Sequence, residues 1–386
     1  DHGFWGTKTP LKSEELKAMF DVTKQTIISQ HIFMFPFRIT SGEPSSDQWE
    51  HKAFNPKLNG LNYSEFSYLH GYVRDALYEI RKEVKRISRY YELKGCSHKN
   101  SSISYYIQGK QEPYILDIDN ISLRIFETGV GILSFSLLNH RYDCIEDILV
   151  INDFGRRVYP QFLPENWDIK KVKDTFLPDK VVMNVNGLSL IEEDFACLRG
   201  YVSDDGKIRI ADHITKLLAG IEFVPVIDDR MYTVCWYGND HWSQKLSANG
   251  YAACDKWHQY IFFDGKSIGC ANAAMKARLI RENTYERWSN YGTLYGITRY
   301  SMVCITDAPS EKNNFFPDVF RNHMQTMYFQ IAKILLAQRS SILKFSAEVS
   351  DISGEIEDFL STQDEKKFKS IDDKVKTLHS SFIRFV

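Results

Sequence analysis

Two stretches of this 386-residue sequence carry more binding chemistry than a core requires. The first, "INDFGRRVYPQF", sets Asn152 and Asp153 beside Gly155 and then places Arg156 and Arg157 side by side. Adjacent guanidiniums repel, and a carboxylate or phosphate between them relieves the repulsion. Alternatively, each arginine turns its own way and makes its own structural salt bridge. The second, "YERWSNYGTLYGITRYS", gathers Trp288, Asn290, Tyr291, Tyr295 and Arg299 around two glycines. Flat rings with amide and guanidinium donors suit stacking on, and edge recognition of, a nucleobase or adenosine. The same residues would also serve a domain junction, where Trp and Tyr bury area and keep one polar tip satisfied. "CWYGND" adds a third candidate, Trp236 and Asn239, at a strand expected to end in a polar turn.

Catalytic signatures are missing. There is no P-loop, GxGxxG turn, GxSxG elbow or HExxH helix. The histidines never cluster at metal-ligand spacing, so no metal ligands are assigned. Cys254 and Cys270 read as core thiols, and the carboxylates of "DILVIND" and "VIDDRM" have no partner motif. The expectation is a binding protein with no catalytic residue, not an enzyme. A net charge of −2 gives no reason to expect direct nucleic-acid binding. Seven scattered cysteines without a CxxC pair suit a reducing cytoplasm. No apolar run approaches the ~18–20 residues that span a bilayer. The first residue is Asp1 and the last helical pattern is unfinished, which leads us to expect a longer parent protein.

The elements that must position these residues alternate in type. "QHIFMFPFRI" reads as a strand, with Pro36 favouring an edge or a bulge. Residues 40–62 read as loop. Asn62 and Glu65 form a capping box before a helix carrying Phe66, Val73, Leu77, Ile80, Val84, Ile87 and Tyr91 on one face. Its other face holds Arg74, Arg81, Lys82, Lys85, Arg86 and Arg89, either a solvated surface or a dock for an acidic partner. Residues 103–139 alternate with period two around a hairpin turn at Thr128–Gly131. A helix is expected at 142–153, a strand at "KVVMNV", and helices at 211–219 and 271–283. β-rich runs are expected at "MYTVCWYGND", "QYIFF" and "YGTLYGITRYSMVCIT". The fold class is therefore α/β (α+β), a mixed sheet flanked by helices over residues 1–310, followed by long stalk-like helices over 311–386.

In that last region Met324, Tyr328, Ile331, Leu335, Gln338, Ile342, Phe345, Val349 and Ile352 repeat every 3.5 residues. Such a seam follows another helix. The expected partner is the stripe Phe368, Ile371, Val375, Leu378, Phe382 and Phe385, with Gln338 as a buried register device; the alternative is an ordinary helical hairpin covering one face of the sheet.

"TGVGILSFSLLN", "INDFGRRVYPQF", "RWSNYGTLYGITRYS" and the 323–350 helix together resemble a bacterial family of CorA-like proteins, over most of residues 30–386. The resemblance implies a cytosolic α/β regulatory domain whose long helices lead to a C-terminal membrane part. It implies a homo-oligomer, a pentamer in the CorA family, at the cytoplasmic face of the bacterial inner membrane. Some members are encoded beside type III CRISPR systems. For that antiviral branch the implied regulator is a nucleotide second messenger, the adduct of S-adenosylmethionine with AMP (SAM–AMP). The pore helices and the Gly-Met-Asn signature are not in this sequence. Transport of magnesium or another divalent cation is thus implied only for a longer parent. Two further readings stay open: a soluble nucleotide-processing enzyme using Arg156, Arg157 and the 287–299 aromatics, and a purely structural oligomerisation module.

Overall fold

The computed structural model describes residues 26–52, 69–78, 87–97, 99–158, 177–195, 210–226, 230–263, 272–309, 316–362 and 365–385. The expected capping box at Asn62 and Glu65, and most of the basic face at 81–86, lie outside these residues.

The class is α/β with a mixed sheet. Its strands are β1 (Ser29–Gly42), β2 (Trp49–His51), β3 (Ser88–Leu93), β4 (Ser102–Tyr106), β5 (Tyr114–Phe126), β6 (Val130–Asn139) and β7 (Lys180–Val185). They continue with β8 (Leu188–Asp194), β9 (Ile221–Pro225), β10 (Tyr232–Gly238), β11 (Thr284–Tyr285), β12 (Leu294–Ile297) and β13 (Ser301–Thr306). The main order is β11-β12-β13-β10-β1-β6-β5-β4-β7-β8, with β9 on β1 and the β2–β3 pair on β5. Only β10 and β13 run parallel among the described pairs.

β1 is central, not the edge its proline suggested. Its odd-numbered Phe33, Phe35 and Phe37 enter one core and its even-numbered Ile32 and Met34 another, as a period of two demands of a strand covered on both faces. Pro36 is tolerated because its neighbour changes there: β10 pairs with Ser29–Met34 and β9 with Phe37–Gly42. The Pro36 carbonyl accepts from the Val226 N–H at 3.4 Å. N and C=O of one strand residue face the same neighbour, so the missing N–H falls at this junction and spares the ladder to β6. The hairpin of β5 and β6 forms as expected. Gly129 turns it at φ +79°, and a Cβ on Gly131 would lie 2.3 Å from the Phe37 ring.

Helices α1 (Gly71–Tyr78), α2 (Ile145–Gly155), α3 (Asp212–Thr215), α4 (Asp240–Asn249), α5 (Asp255–Phe262) and α6 (Ala273–Glu282) accompany the sheet. Three expectations change. Residues 88–93 pair in the sheet as β3, so the helix expected to reach Tyr91 stops short. "QYIFF" belongs to helix α5, which buries Trp257, Tyr260 and Ile261 on one face. A short apolar run has no period of its own, and the 257–260–261 spacing is helical. "GND" is a helix start rather than a free turn, because the Asn239 side chain accepts from the Trp242 N–H at 3.0 Å and caps α4.

The C-terminal region is helical as expected: α7 (Phe316–His323), one π turn (Met324–Tyr328), α8 (Phe329–Thr362) and α9 (Glu365–Phe385). At ~1.5 Å per residue α8 is about 50 Å long. α9 folds back antiparallel on its outer half. Phe345 meets Phe382 and Phe385, Phe359 meets Phe368, and Lys374 pairs with Glu355. The inner half of α8 lies on the sheet, with Phe329, Ala332, Leu336 and Ala337 in the same core as Ile32 and Met34. That contact overturns part of the expected seam. Phe345 does face α9 and Ile352 is buried, whereas Leu335, Gln338, Ile342 and Val349 are exposed. The helix can present only one face to the sheet, and the face that carries Phe329, Ala332, Leu336 and Ala337 takes that place.

Candidate functional site: an arginine-lined pocket under the long helix

α2 enters with Glu146 and Asp147 in its first turn, which suits the positive end of the helix dipole. It ends at Gly155, whose added Cβ would lie 2.6 Å from the Phe33 ring, so the helix can sit directly on β1. Asn152 is fully buried, with Oδ1 2.8 Å from His31 Nδ1 and Nδ2 donating to Cys235 Sγ at 3.4 Å. It is a core residue. Asp153 receives Arg157 Nη2 at 2.7 Å and stands 3.5 Å from Arg156 Nη2. The anion expected between the two guanidiniums is thus, in part, the chain's own Asp153.

Arg157 is spent on this pair, and its backbone bridges to Arg230. Arg156 is different. It is 1% exposed, donates Nη2 to the Phe263 carbonyl at 3.0 Å, and has no partner for Nε. Burial pulls its pKa down to about 10, with Asp153 opposing and Arg230 and Arg157 reinforcing the fall. Its guanidinium thus sits beside Asp153 with one donor, Nε, still unsatisfied.

The second stretch divides. Tyr295 is buried against Phe320 and Tyr328, and Trp236 is buried with Nε1 donating to Thr306 Oγ1 at 3.1 Å. Both serve the core. Trp288, Asn290 and Tyr291 are exposed around a short 3₁₀ turn, the two rings 6.2 Å apart and Arg287 over Trp288 at 5.1 Å. They do not line the pocket that Arg299 reaches.

That pocket, about 180 Å³, brings Arg156 and Arg299 together from the two separate stretches. Arg230, Tyr232 and Tyr300 line it from the body, and Leu336, Arg339 and Leu343 from α8. Among the described residues no carboxylate lines it. Its size suits an anionic head group rather than a whole nucleotide, since pockets for entire ligands run ~300–1,000 Å³. Arg230 and Arg339 were not singled out in the sequence. Arg339 looks like any solvated helix charge until α8 is laid on the sheet.

One further constellation resembles a catalytic relay: Ser29 Oγ and His31 Nε2 are 2.8 Å apart, with Asn152 behind the imidazole. Ser29 and His31 are completely buried, and burial pulls His31 down to about 4. No substrate reaches the hydroxyl, so the set is structural. Among the described residues no group of His, Cys, Asp and Glu could hold a metal ion, and no helix is long and apolar enough to cross a membrane. Comparison with known proteins finds no matching family model, no matching curated protein and no matching solved structure.

Proposed function

We propose that this chain is the cytosolic ligand-sensing part of a CorA-like membrane protein at the cytoplasmic face of the bacterial inner membrane. Its ligand is an adenosine-containing anion, SAM–AMP if the protein belongs to the type III CRISPR branch. It acts by binding, without turnover, and as a homo-oligomer, a pentamer by family resemblance. Magnesium or another divalent cation belongs to the pore of the longer protein.

The observation that carries the reading is the pocket. Arg156, Arg230 and Arg299 of the body meet Arg339 of the helix that leaves it, so a ligand there touches sensor and output element at once. Calorimetry with SAM–AMP, ATP, cyclic oligoadenylates and AMP, followed by chromatography of the recovered ligand, tests it. One of them binds and is recovered intact. A wild-type protein that binds none removes the reading, and rapid conversion of a bound nucleotide replaces it with an enzyme.

A second reading, the oligomerisation module, is favoured by the exposed apolar positions of the arm. Leu335, Ile342, Val349 and Ile356 on α8, and Phe368, Val375 and Phe382 on α9, each recur at a spacing of seven and remain 40–59% exposed. Self-association with no nucleotide binding would leave this reading alone standing.

A further inference from the structure

Resting on the reading that this pocket takes the anionic end of the ligand, we infer that a phosphate or pyrophosphate group bound between Arg339 and the body arginines clamps α8 to the sheet. Ligand occupancy then controls whether the arm is docked.

Four observations converge on this. The pocket has two walls on different elements: the body supplies Arg156, Arg230 and Arg299, and α8 supplies Arg339. Cations facing each other across an interface disfavour closure, and an anion between them converts repulsion into attraction. The site is built rather than incidental, because Arg156 is almost fully buried and its Nε has no partner.

The docked face of α8, held by its apolar contacts and by the Ser341–Thr128 and Arg339–Arg299 hydrogen bonds, also buries polar groups that have no partner. Lys333 is 1% exposed, and its Nζ has no hydrogen-bond partner, resting 3.9 Å from the Phe329 ring centroid and 5.6 Å from that of Tyr90. The buried Ser340 hydroxyl is unpartnered as well. Burying such groups costs free energy, which the apolar contacts of this short face must offset. At the root of the helix the Met324–Tyr328 segment is a π turn, a local defect in the hydrogen-bond ladder. A helix entered through such a turn, and docked over a lysine without a hydrogen-bond partner, is suited to move between docked and released positions.

The test is amide hydrogen exchange of the intact chain, read over residues 329–346, with and without sodium pyrophosphate at constant ionic strength. Pyrophosphate binding is measured in parallel by calorimetry. In wild type, saturating pyrophosphate slows exchange by about tenfold, within the usual range of coupling between sites. Arg339→Gln, at an exposed position, folds normally and loses the slowing while binding pyrophosphate about tenfold more weakly, the loss expected of one charge-assisted contact. Arg287→Gln, outside the pocket, behaves as wild type.

Pyrophosphate that binds without slowing exchange overturns the clamp and leaves the ligand-sensing reading intact. So does an Arg339→Gln protein that keeps both binding and slowing. Absence of pyrophosphate binding also overturns the clamp, and the sensing reading falls with it only if the nucleotides fail to bind too.

Discussion

Arg339, on the long helix, donates Nη1 to the main-chain carbonyl of Arg299, on the turn between β12 and β13, at 3.0 Å. Two cationic side chains are brought to one pocket by a bond from one guanidinium to the other residue's main chain. The contact joins the body to the arm, and Arg299 keeps Tyr300 beside it in the pocket while Trp288 and Tyr291 lie outside. Trp288→Ala and Tyr291→Ala should therefore leave nucleotide affinity within about twofold of wild type, as surface changes away from a site do. Calorimetry on both variants checks this. A large loss in either would move the site to the exposed aromatic patch.

The sheet, the hairpin at Gly129 and the helical C-terminus were legible because each is written in a period. β1 alternates between two cores, and residues 324–352 repeat every 3.5. What the sequence could not say is which helix face meets which surface. Lys333, Ser340 and Ser341 look solvent-facing by type, yet all three are buried, and Ser341 Oγ lies 2.8 Å from Thr128 Oγ1 on the β5–β6 hairpin. Arg156 and Arg299 stood out in the sequence by residue type, but their meeting in one pocket depends on tertiary placement. Asn152, Trp236 and Tyr295 are buried, and an amide or ring that satisfies a core has the same composition as one that holds a ligand.

Leu335 and Phe345 both belong to the heptad pattern, but only Phe345 is buried. Leu335→Asp should change the stability of the isolated chain by no more than about 0.5 kcal/mol. Phe345→Ala should cost roughly 3 kcal/mol, as for a buried aromatic. Denaturant melts measure both. If the exposed rows form an oligomer interface, Leu335→Asp together with Ile342→Asp should reduce the mass seen by light scattering and lower the melt only by what association contributes.

Lys333 is pulled well below its ordinary pKa by burial, Arg124 reinforcing and Glu92 opposing. Where the unfolded chain binds the proton and the folded chain does not, stability rises with pH. That window lies between the lowered folded value and the ordinary lysine value. Lys333→Met should stabilise the protein by ~1–4 kcal/mol at neutral pH. It should also flatten the rise in stability between neutrality and about pH 9, below ordinary tyrosine ionisation. Unchanged stability in the variant would mean that the buried amine costs nothing.

His31 works in the acid range. Its pKa is lowered from 6.5 to about 4 by burial, against the opposing hydrogen bond to Asn152. Between those values the unfolded chain is protonated and the folded chain is not, so stability falls as pH drops from 6.5 to 4. The loss is roughly 3 kcal/mol for a shift of this size. His31→Gln should lack this component, and melts at pH 7, 5.5 and 4.5 would reveal it. Identical slopes in the two proteins would contradict a neutral buried imidazole.

The central claim is that the arginine pocket holds the anionic part of an adenosine-containing ligand. Its most direct measurement is the dissociation constant of SAM–AMP for wild type, Arg299→Ala and Arg339→Ala, two changes at exposed side chains that spare the core. Each lost charge-assisted contact, at ~1.5–3 kcal/mol, should weaken binding by roughly ten- to a hundredfold while the melting temperature holds. Binding to wild type that survives both substitutions unchanged would contradict the account.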